Sequence, residues 1–417
     1  MRYLFIHPVF PGQFHRVMQQ LAAQPGNEVV HLSRQSALEA VPGVRKLRFS
    51  VPEGATPTGH PYVHKLEEAV IQGQAVAHVA AELKRKGFVP DLIYGYAGWG
   101  QIMFIKDIYP NVPLVGYFEW FLNAYGSEYN FDPAYPLATE HQLYLRAANT
   151  PMLLDLQSCN HGITPTRWQQ HQFPEEFRHK LTVLHDGVDT ELFRPKPDAG
   201  LNLPGLSLPP GTPVVTYSTR GMEPFRGFPQ FIRALAELQA RCPNCHAVIV
   251  GTDNVYYSKT LPEGRTYKQE LLEELAGRLD LSRIHFTGWL DTPYYLQVLQ
   301  ASCAHVYFTR PYVLSWSLME AMAAGCLIIG SNTAPLQEVI HDGENGLLTD
   351  FFDHHALADR LEEALRQPER FRSLRENARQ TVIQRYHLPK LLAAHVRLLE
   401  HWAAEPLHSA FHPEHSS

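Results

Sequence analysis

Arg220 and Arg226 stand six positions apart in the stretch Thr216-Tyr-Ser-Thr-Arg-Gly-Met-Glu-Pro-Phe-Arg-Gly-Phe228. A strand-like run precedes them, Gly221 and Gly227 punctuate the loop, and a helical pattern follows. Loops after parallel strands open on the ligand crevice of a doubly wound sheet, and guanidinium forks take phosphate oxygens in pairs. The pair is therefore a candidate diphosphate clamp. A surface loop whose arginines pair with Glu223 or another carboxylate accounts for the same residues equally well.

A second stretch, Tyr312-Val-Leu-Ser-Trp-Ser-Leu-Met-Glu-Ala-Met-Ala-Ala-Gly325, has the alanine content and terminal glycine of a helix that begins near Ser315 or Ser317, with a serine as N-cap. The leading amides and positive dipole end of such a helix favour a phosphate. Glu320 lies one turn further in, among apolar neighbours, where a carboxylate needs a partner. Two ribose hydroxyls would serve, and so would a capping or inter-helix hydrogen bond. Gly12, in Phe10-Pro-Gly-Gln13, permits close backbone approach after the first strand. Glu119 falls at a strand's C-terminal end, a place for functional carboxylates and plain loop acids alike. Cys242-Pro-Asn-Cys245 beside His246 has metal-like spacing, but no second ligand pair follows, so no metal site is expected.

These residues need a scaffold, and the rest of the chain supplies its pattern. Short, nearly continuous apolar runs recur at Tyr3–Ile6, Asp91–Tyr94, Pro113–Tyr117, Pro213–Tyr217, Ala247–Val250 and Cys326–Ile329. Strands of that kind fit sheets covered on both faces, and their alternation with amphipathic stretches makes the sheets parallel. The helical stretches are Gln13–Ala23, Glu67–Lys86, Phe228–Arg241, Tyr267–Leu279, His355–Gln367 and Leu388–Trp402. Lys84-Arg85-Lys86 closes the second of them, where positive charge suits the helix dipole. From Pro195 to Pro213 the chain has six prolines and three glycines and no clear period, which reads as a linker between two α/β domains.

With 417 residues, 45% hydrophobic and 19% charged, the chain has the composition of a folded protein of two or three domains. Its net charge of -6 offers no basic surplus for nucleic acid. The first residues, Met1-Arg2-Tyr3-Leu4-Phe5-Ile6-His7, read as a buried strand rather than a signal peptide. No apolar run is long enough to span a bilayer, since Glu320 interrupts the best candidate. Five cysteines make neither a disulfide framework nor an even set, so a cytoplasmic location is expected.

Read together, these motifs resemble the family 4 retaining glycosyltransferases of GT-B architecture, over Met1 to about Tyr386. A bacterial subgroup with the phrases Glu-Pro-Phe-Arg-Gly-Phe and Val-Leu-Ser-Trp-Ser-Leu is the most similar. Leu184-His-Asp-Gly-Val-Asp-Thr-Glu-Leu-Phe-Arg-Pro195 is similar to the family's signature at the end of the N-terminal domain. Leu318-Met-Glu-Ala-Met-Ala-Ala-Gly325, Ala334-Pro-Leu-Gln-Glu338 and Gly343-Glu-Asn-Gly-Leu-Leu348 are similar to its C-terminal blocks, in order. The resemblance implies two doubly wound, Rossmann-like domains facing each other across a cleft. Residues 1–195 would bind the acceptor and 214–386 the nucleotide sugar, with 196–213 as linker. Residues 387–402 would form a helix crossing back to the first domain, and 403–417 a frayed tail.

It further implies Arg220 and Arg226 on the donor diphosphate and Glu320 on the ribose. Ser315, Trp316, Ser317 and Leu318 would offer amides to phosphate and sugar. Gly251, Gly288, Trp289 and Leu290 would lie along the nucleotide, and Gly12 beside donor phosphate and acceptor. Tyr312 stands where the family usually has a glutamate touching the sugar, and Glu119 where it usually has a histidine. The implied activity is retaining transfer from a UDP- or GDP-sugar to an acceptor hydroxyl, needing no cofactor, with Arg220, Arg226 and Glu119 as catalytic groups. The acceptor would be a saccharide, a lipid-linked saccharide or a small molecule, with membrane contact at most peripheral; the oligomeric state is left open. Two other readings stand beside it: a GT-B nucleotide-sugar-binding or partner subunit without turnover, and a different GT-B enzyme such as an epimerase or phosphorylase.

Overall fold

The computed structural model describes residues 1–34, 40–52 and 56–405, so residues 406–417 of the expected tail lie outside the described residues. The described residues divide into two compact units, one of Met1–Asp186 with the chain from Pro389 onward and one of Gly187–Leu388.

The first unit holds a seven-stranded parallel sheet of β1 (Arg2–Ile6), β2 (Glu28–Ser33), β3 (Val44–Arg48), β4 (Leu92–Tyr96), β5 (Leu114–Tyr117), β6 (His161–Thr164) and β7 (Leu181–Val183), in the order β3-β2-β1-β4-β5-β6-β7. Successive side chains of a strand point to opposite faces. Leu4 and Ile6 accordingly enter one apolar core with Val30, Ile93 and Leu114, and Tyr3 and Phe5 enter the other with Phe14, Val17 and Tyr94. The central strands β1, β4 and β5 are buried on both faces, which is why they read as continuous apolar runs.

The last helix, Leu388–Ala404, adds Val396, Leu399 and Trp402 to the second of those cores. Trp402 is 6% exposed and stacks on the His161 ring with centroids 4.5 Å apart. The chain thus returns to its first unit after completing its second.

In the second unit, β10 (Val214–Gly221), β11 (His246–Thr252), β12 (Ile284–Gly288), β13 (Ala304–Tyr307), β14 (Ile328–Ser331) and β15 (Leu347–Thr349) form a parallel sheet in the order β12-β11-β10-β13-β14-β15. The strand order reverses beside β10, whose neighbours are β11 and β13. Open α/β sheets bind ligands at such a switch point, at the C-terminal ends of the strands.

The expected linker at 196–213 is corrected by the structure. Within it, β8 (Leu201–Leu203) and β9 (Leu206–Leu208) pair as an antiparallel hairpin inside the second unit. Leu201, Leu203 and Leu208 point inward and pack with Val214, Val248, Val250 and Val298, a cluster that supplies the burial the segment's proline content conceals. Pro204-Gly205 makes the turn, with Gly205 at φ +80°, a conformation that favours glycine at the third turn position.

Candidate functional site

β10 carries Arg220 at its C-terminal end, and a single 3-10 turn, Pro224–Arg226, carries Arg226. Gly227 then turns the chain at φ +72° into the helix Phe228–Arg241. A Cβ on Gly227 would stand 2.4 Å from that of Phe308, so both its conformation and its packing require the missing side chain.

Arg226 is tied down on two sides. Its Nη1 donates to the Thr309 hydroxyl at 2.7 Å and to the Val313 carbonyl at 3.2 Å. The rings of Tyr257, Phe225 and Tyr312 surround the guanidinium at 5.3, 5.7 and 5.7 Å. Arg220 is exposed and lies over the Tyr256 ring at 4.1 Å. Hydrogen bonds from Asn254 and Thr252 first, and Arg220 beside it, hold the Tyr256 phenol below its ordinary pKa. Neither arginine has a carboxylate partner among the described residues, so the alternative in which they pair with Glu223 is set aside. Glu223 is 0% exposed and receives the backbone N–H groups of Tyr256, Tyr257 and Ser258 instead.

Between β13 and the helix Trp316–Ala323, Ser315 occupies the N-cap position, but its side chain makes no capping bond. Its hydroxyl meets the Ser317 hydroxyl at 2.5 Å and donates to Tyr307 at 3.2 Å. Two of the amides expected to serve a ligand are already used: Ser315 N–H donates to the Tyr307 hydroxyl at 2.8 Å, and Leu318 N–H to the Ser315 carbonyl at 3.2 Å. The Leu318 side chain is fully buried in the core. Ser317 N–H has no acceptor among the described residues, and Trp316 is 48% exposed beside it.

Glu320 sits on this helix next to buried Leu318, Met319 and Ala321. Its carboxylate makes no hydrogen bond or ion pair among the described residues, and burial pushes its pKa up to about 7. A capping or inter-helix hydrogen bond is therefore not made among the described residues.

The remaining donor-side positions lie on the neighbouring strand ends. Gly251, the last residue but one of β11, has φ +141°, and a Cβ there would stand 2.2 Å from the Thr219 carbonyl. Gly288 ends β12 at φ +69°; Trp289 after it is 70% exposed, while Leu290 packs on the hairpin cluster rather than opening to solvent.

The first unit gathers a separate set at the C-terminal ends of β1, β4 and β5. Gly12 has φ +56°, and a Cβ there would stand 2.5 Å from the His7 imidazole. His7 packs edge-on against Tyr96 at 5.0 Å, and the Tyr96 hydroxyl donates a short hydrogen bond to Glu119. Burial holds the His7 pKa below its usual value, against the opposing hydrogen bond to the Val9 carbonyl. Tyr117 donates to Asp186 at 3.0 Å, and burial, with Asp186 and Glu119 adding to it, raises that phenol far above its ordinary pKa. Sequence pattern does not mark His7, Tyr96, Tyr256, Tyr257 or Thr309, and it offers Glu223 only as an ion-pair partner for the arginines. Tyr256, Tyr257 and Thr309 carry no signal beyond their place just after a strand.

Cys242 and Cys245 form a turn, Cys245 N–H donating to the Cys242 carbonyl at 3.0 Å, with Cys245 buried.

Residues 25–193 match the model described as "Glycosyl transferase family 4 group", and residues 205–381 that described as "Glycosyl transferases group 1". The curated D-inositol 3-phosphate glycosyltransferase of Corynebacterium glutamicum (strain R) is 29% identical over 189 residues, which are 44% of this chain and 42% of that protein. The chain thus spans about two fifths of the length of this curated relative. HepE of Anabaena, solved in complex with UDP and glucose, superposes with a TM-score of 0.69 at 18% identity, covering 96% of this chain and 100% of that one. Sucrose-phosphate synthase from Thermosynechococcus elongatus gives 0.66 at 20% identity, over 96% and 98%. At those identities the two structures show the shared GT-B fold.

Proposed function

Taking this as a family-4-like glycosyltransferase chain on a GT-B fold, we propose that it transfers a hexose, with retention, from a UDP- or GDP-sugar to an acceptor hydroxyl. The observation that carries the reading is the arginine pair. Two guanidiniums without carboxylate partners among the described residues, backed by aromatic rings, stand at the switch point of the second unit's sheet, and Arg226 also bonds the Val313 carbonyl, three residues before the helix that bears Glu320.

In this reading Arg220 and Arg226 bind the donor diphosphate, and Glu320 accepts from the ribose hydroxyls. The helix start at Ser317 adds its N–H and dipole end. Charge accumulates on the leaving diphosphate as the bond to the anomeric carbon breaks, and fixed guanidiniums stabilise it without reorganising. The acceptor hydroxyl attacks from the leaving-group side and gives its proton to the departing phosphate oxygen. Positive charge of this kind, supplied by side chains, makes the transfer independent of a metal ion. Glu119, held by Tyr96, would orient the acceptor or offset positive charge on the sugar ring.

UDP-glucose is the first donor to test, since HepE was solved with UDP and glucose, and inositol 3-phosphate belongs in the acceptor panel because the curated relative is named for it. The test is a thermal-shift screen of UDP-, GDP- and ADP-sugars, followed by transfer assays with EDTA present. A raised midpoint with UDP- or GDP-sugars and turnover in EDTA support the proposal; an unchanged midpoint with every nucleotide sugar refutes it. Tyr312 and Glu119, at positions where the family usually carries other groups, motivate the second reading, a nucleotide-sugar-binding subunit. Tight nucleotide binding without turnover on any acceptor would favour it.

A further inference from the structure

Glu223 is fully buried yet faces no cation among the described residues. A carboxylate in such a place is tolerated only where hydrogen bonds replace its water. Here three consecutive amides do so: Tyr256 N–H at 3.3 Å to each oxygen, Tyr257 N–H at 3.0 Å and Ser258 N–H at 2.7 Å. Successive N–H groups converging on one anion make a backbone nest, here occupied by a side chain of the same protein. The attachment is reinforced from the other side, since Phe225 N–H donates to the Ser258 hydroxyl at 3.1 Å. At Gly221 a Cβ would stand 2.3 Å from the Asn254 carbonyl, so the two loops close on each other only where that side chain is missing.

What hangs from this nest is the pair of rings that touches both arginines. Tyr256 lies 4.1 Å beneath the Arg220 guanidinium, and Tyr257 lies 5.3 Å from that of Arg226 and 5.4 Å from the Tyr312 ring. Arginine has many rotamers, and a guanidinium laid on a fixed ring loses less freedom when it meets a phosphate. We propose that Glu223 is a positioning residue of the donor site: its buried carboxylate fixes Tyr256 and Tyr257 as a platform that pre-orients Arg220 and Arg226. The inference rests on the donor-clamp reading above and adds to it a residue that would itself touch no ligand.

The test uses the full chain and the variant Glu223→Gln, which keeps the side chain's volume but turns an NH2 group toward backbone N–H donors. Amide hydrogen exchange at Tyr256, Tyr257 and Ser258 should accelerate by roughly tenfold or more, while β10 and β11 keep their protection. The Kd for UDP, by calorimetry, should weaken by about tenfold, and that penalty should shrink in an Arg220→Ala background, as coupled residues require. Unchanged exchange in the loop, or an opened loop with an unchanged Kd, overturns the proposal. So does a penalty of the same size in the Arg220→Ala background. If Glu223→Gln unfolds the chain, the double variant Tyr256→Leu/Tyr257→Leu removes the platform with the nest intact. It should weaken UDP binding comparably, and unchanged binding there overturns the proposal. Should Arg220→Ala and Arg226→Ala each leave UDP binding unchanged, the clamp reading itself fails and this inference with it; the exchange result separates the two failures.

Discussion

Replacing Glu320 by Gln removes the one ionisable group of the helix Trp316–Ala323 while keeping its shape. Burial raises the Glu320 pKa from 4.5 to about 7, so between those values the folded chain holds a proton that the unfolded chain releases. Below pH 4.5 the group is neutral in both states and contributes nothing. As pH climbs toward 7 the unfolded state is increasingly favoured, and above that the cost is constant. At 1.36 kcal/mol for each pH unit, the gap between 4.5 and about 7 amounts to at most about 3 kcal/mol of stability forgone at alkaline pH. Glu320→Gln escapes this cost. Its stability relative to the parent should therefore rise with pH, from near parity at about pH 4 to an excess of as much as about 3 kcal/mol at about pH 8. Urea denaturation across that range, with unchanged m-values, measures the difference directly. A difference that stays flat with pH would refute the argument. The same titration bears on binding: only the ionised carboxylate offers all its lone pairs to ribose hydroxyls. UDP affinity of the parent should accordingly strengthen as pH rises through about 7, and that of the variant should not.

Arg226→Ala should lower kcat/KM for transfer by roughly 10²–10³-fold, about 2.7–4 kcal/mol, the range for losing one preorganised donor; a value within threefold of the parent would count against the clamp. Thr309→Val removes one hydrogen bond to that guanidinium (2.7 Å) and should cost about 1 kcal/mol of stability, read by denaturation. Gly12→Ala would force an alanine to φ +56° against the His7 ring, and should destabilise the chain by about 1–3 kcal/mol in a thermal melt. Trp402→Ala deletes a buried ring stacked on His161, and a loss of about 3–5 kcal/mol is expected if the last helix is integral to the first unit's core; a near-neutral result would show that the helix is only loosely docked.

Much of the architecture was legible because it is governed by local periodicity. The runs at Tyr3–Ile6 and Ala247–Val250 are apolar on both sides since sheets covered on both faces bury both, and they fall within β1 and β11. The stretch Phe228–Arg241 is the helix that its spacing indicates, and Gly227 before it is fixed by a φ of +72°. The hairpin at Leu201–Leu208 was also recoverable, from the alternation of leucines about Pro204-Gly205, but the prolines around it read more strongly as linker. Arg220 and Arg226 could be named from residue type and position after a strand, and Glu320 from its isolation on an apolar helix.

What the chain's order of residues could not reveal is which polar groups spend their bonding capacity on one another. Glu223 reads like any loop acid beside two arginines, and only folding carries its carboxylate away from them and under the amides of a loop more than thirty positions later. Ser315 and Leu318 look like free helix-start amides until Tyr307 and the first turn claim them. Periodicity is a property of neighbours in sequence, whereas hydrogen-bond satisfaction depends on groups brought together from distant elements, and that choice belongs to the tertiary structure alone.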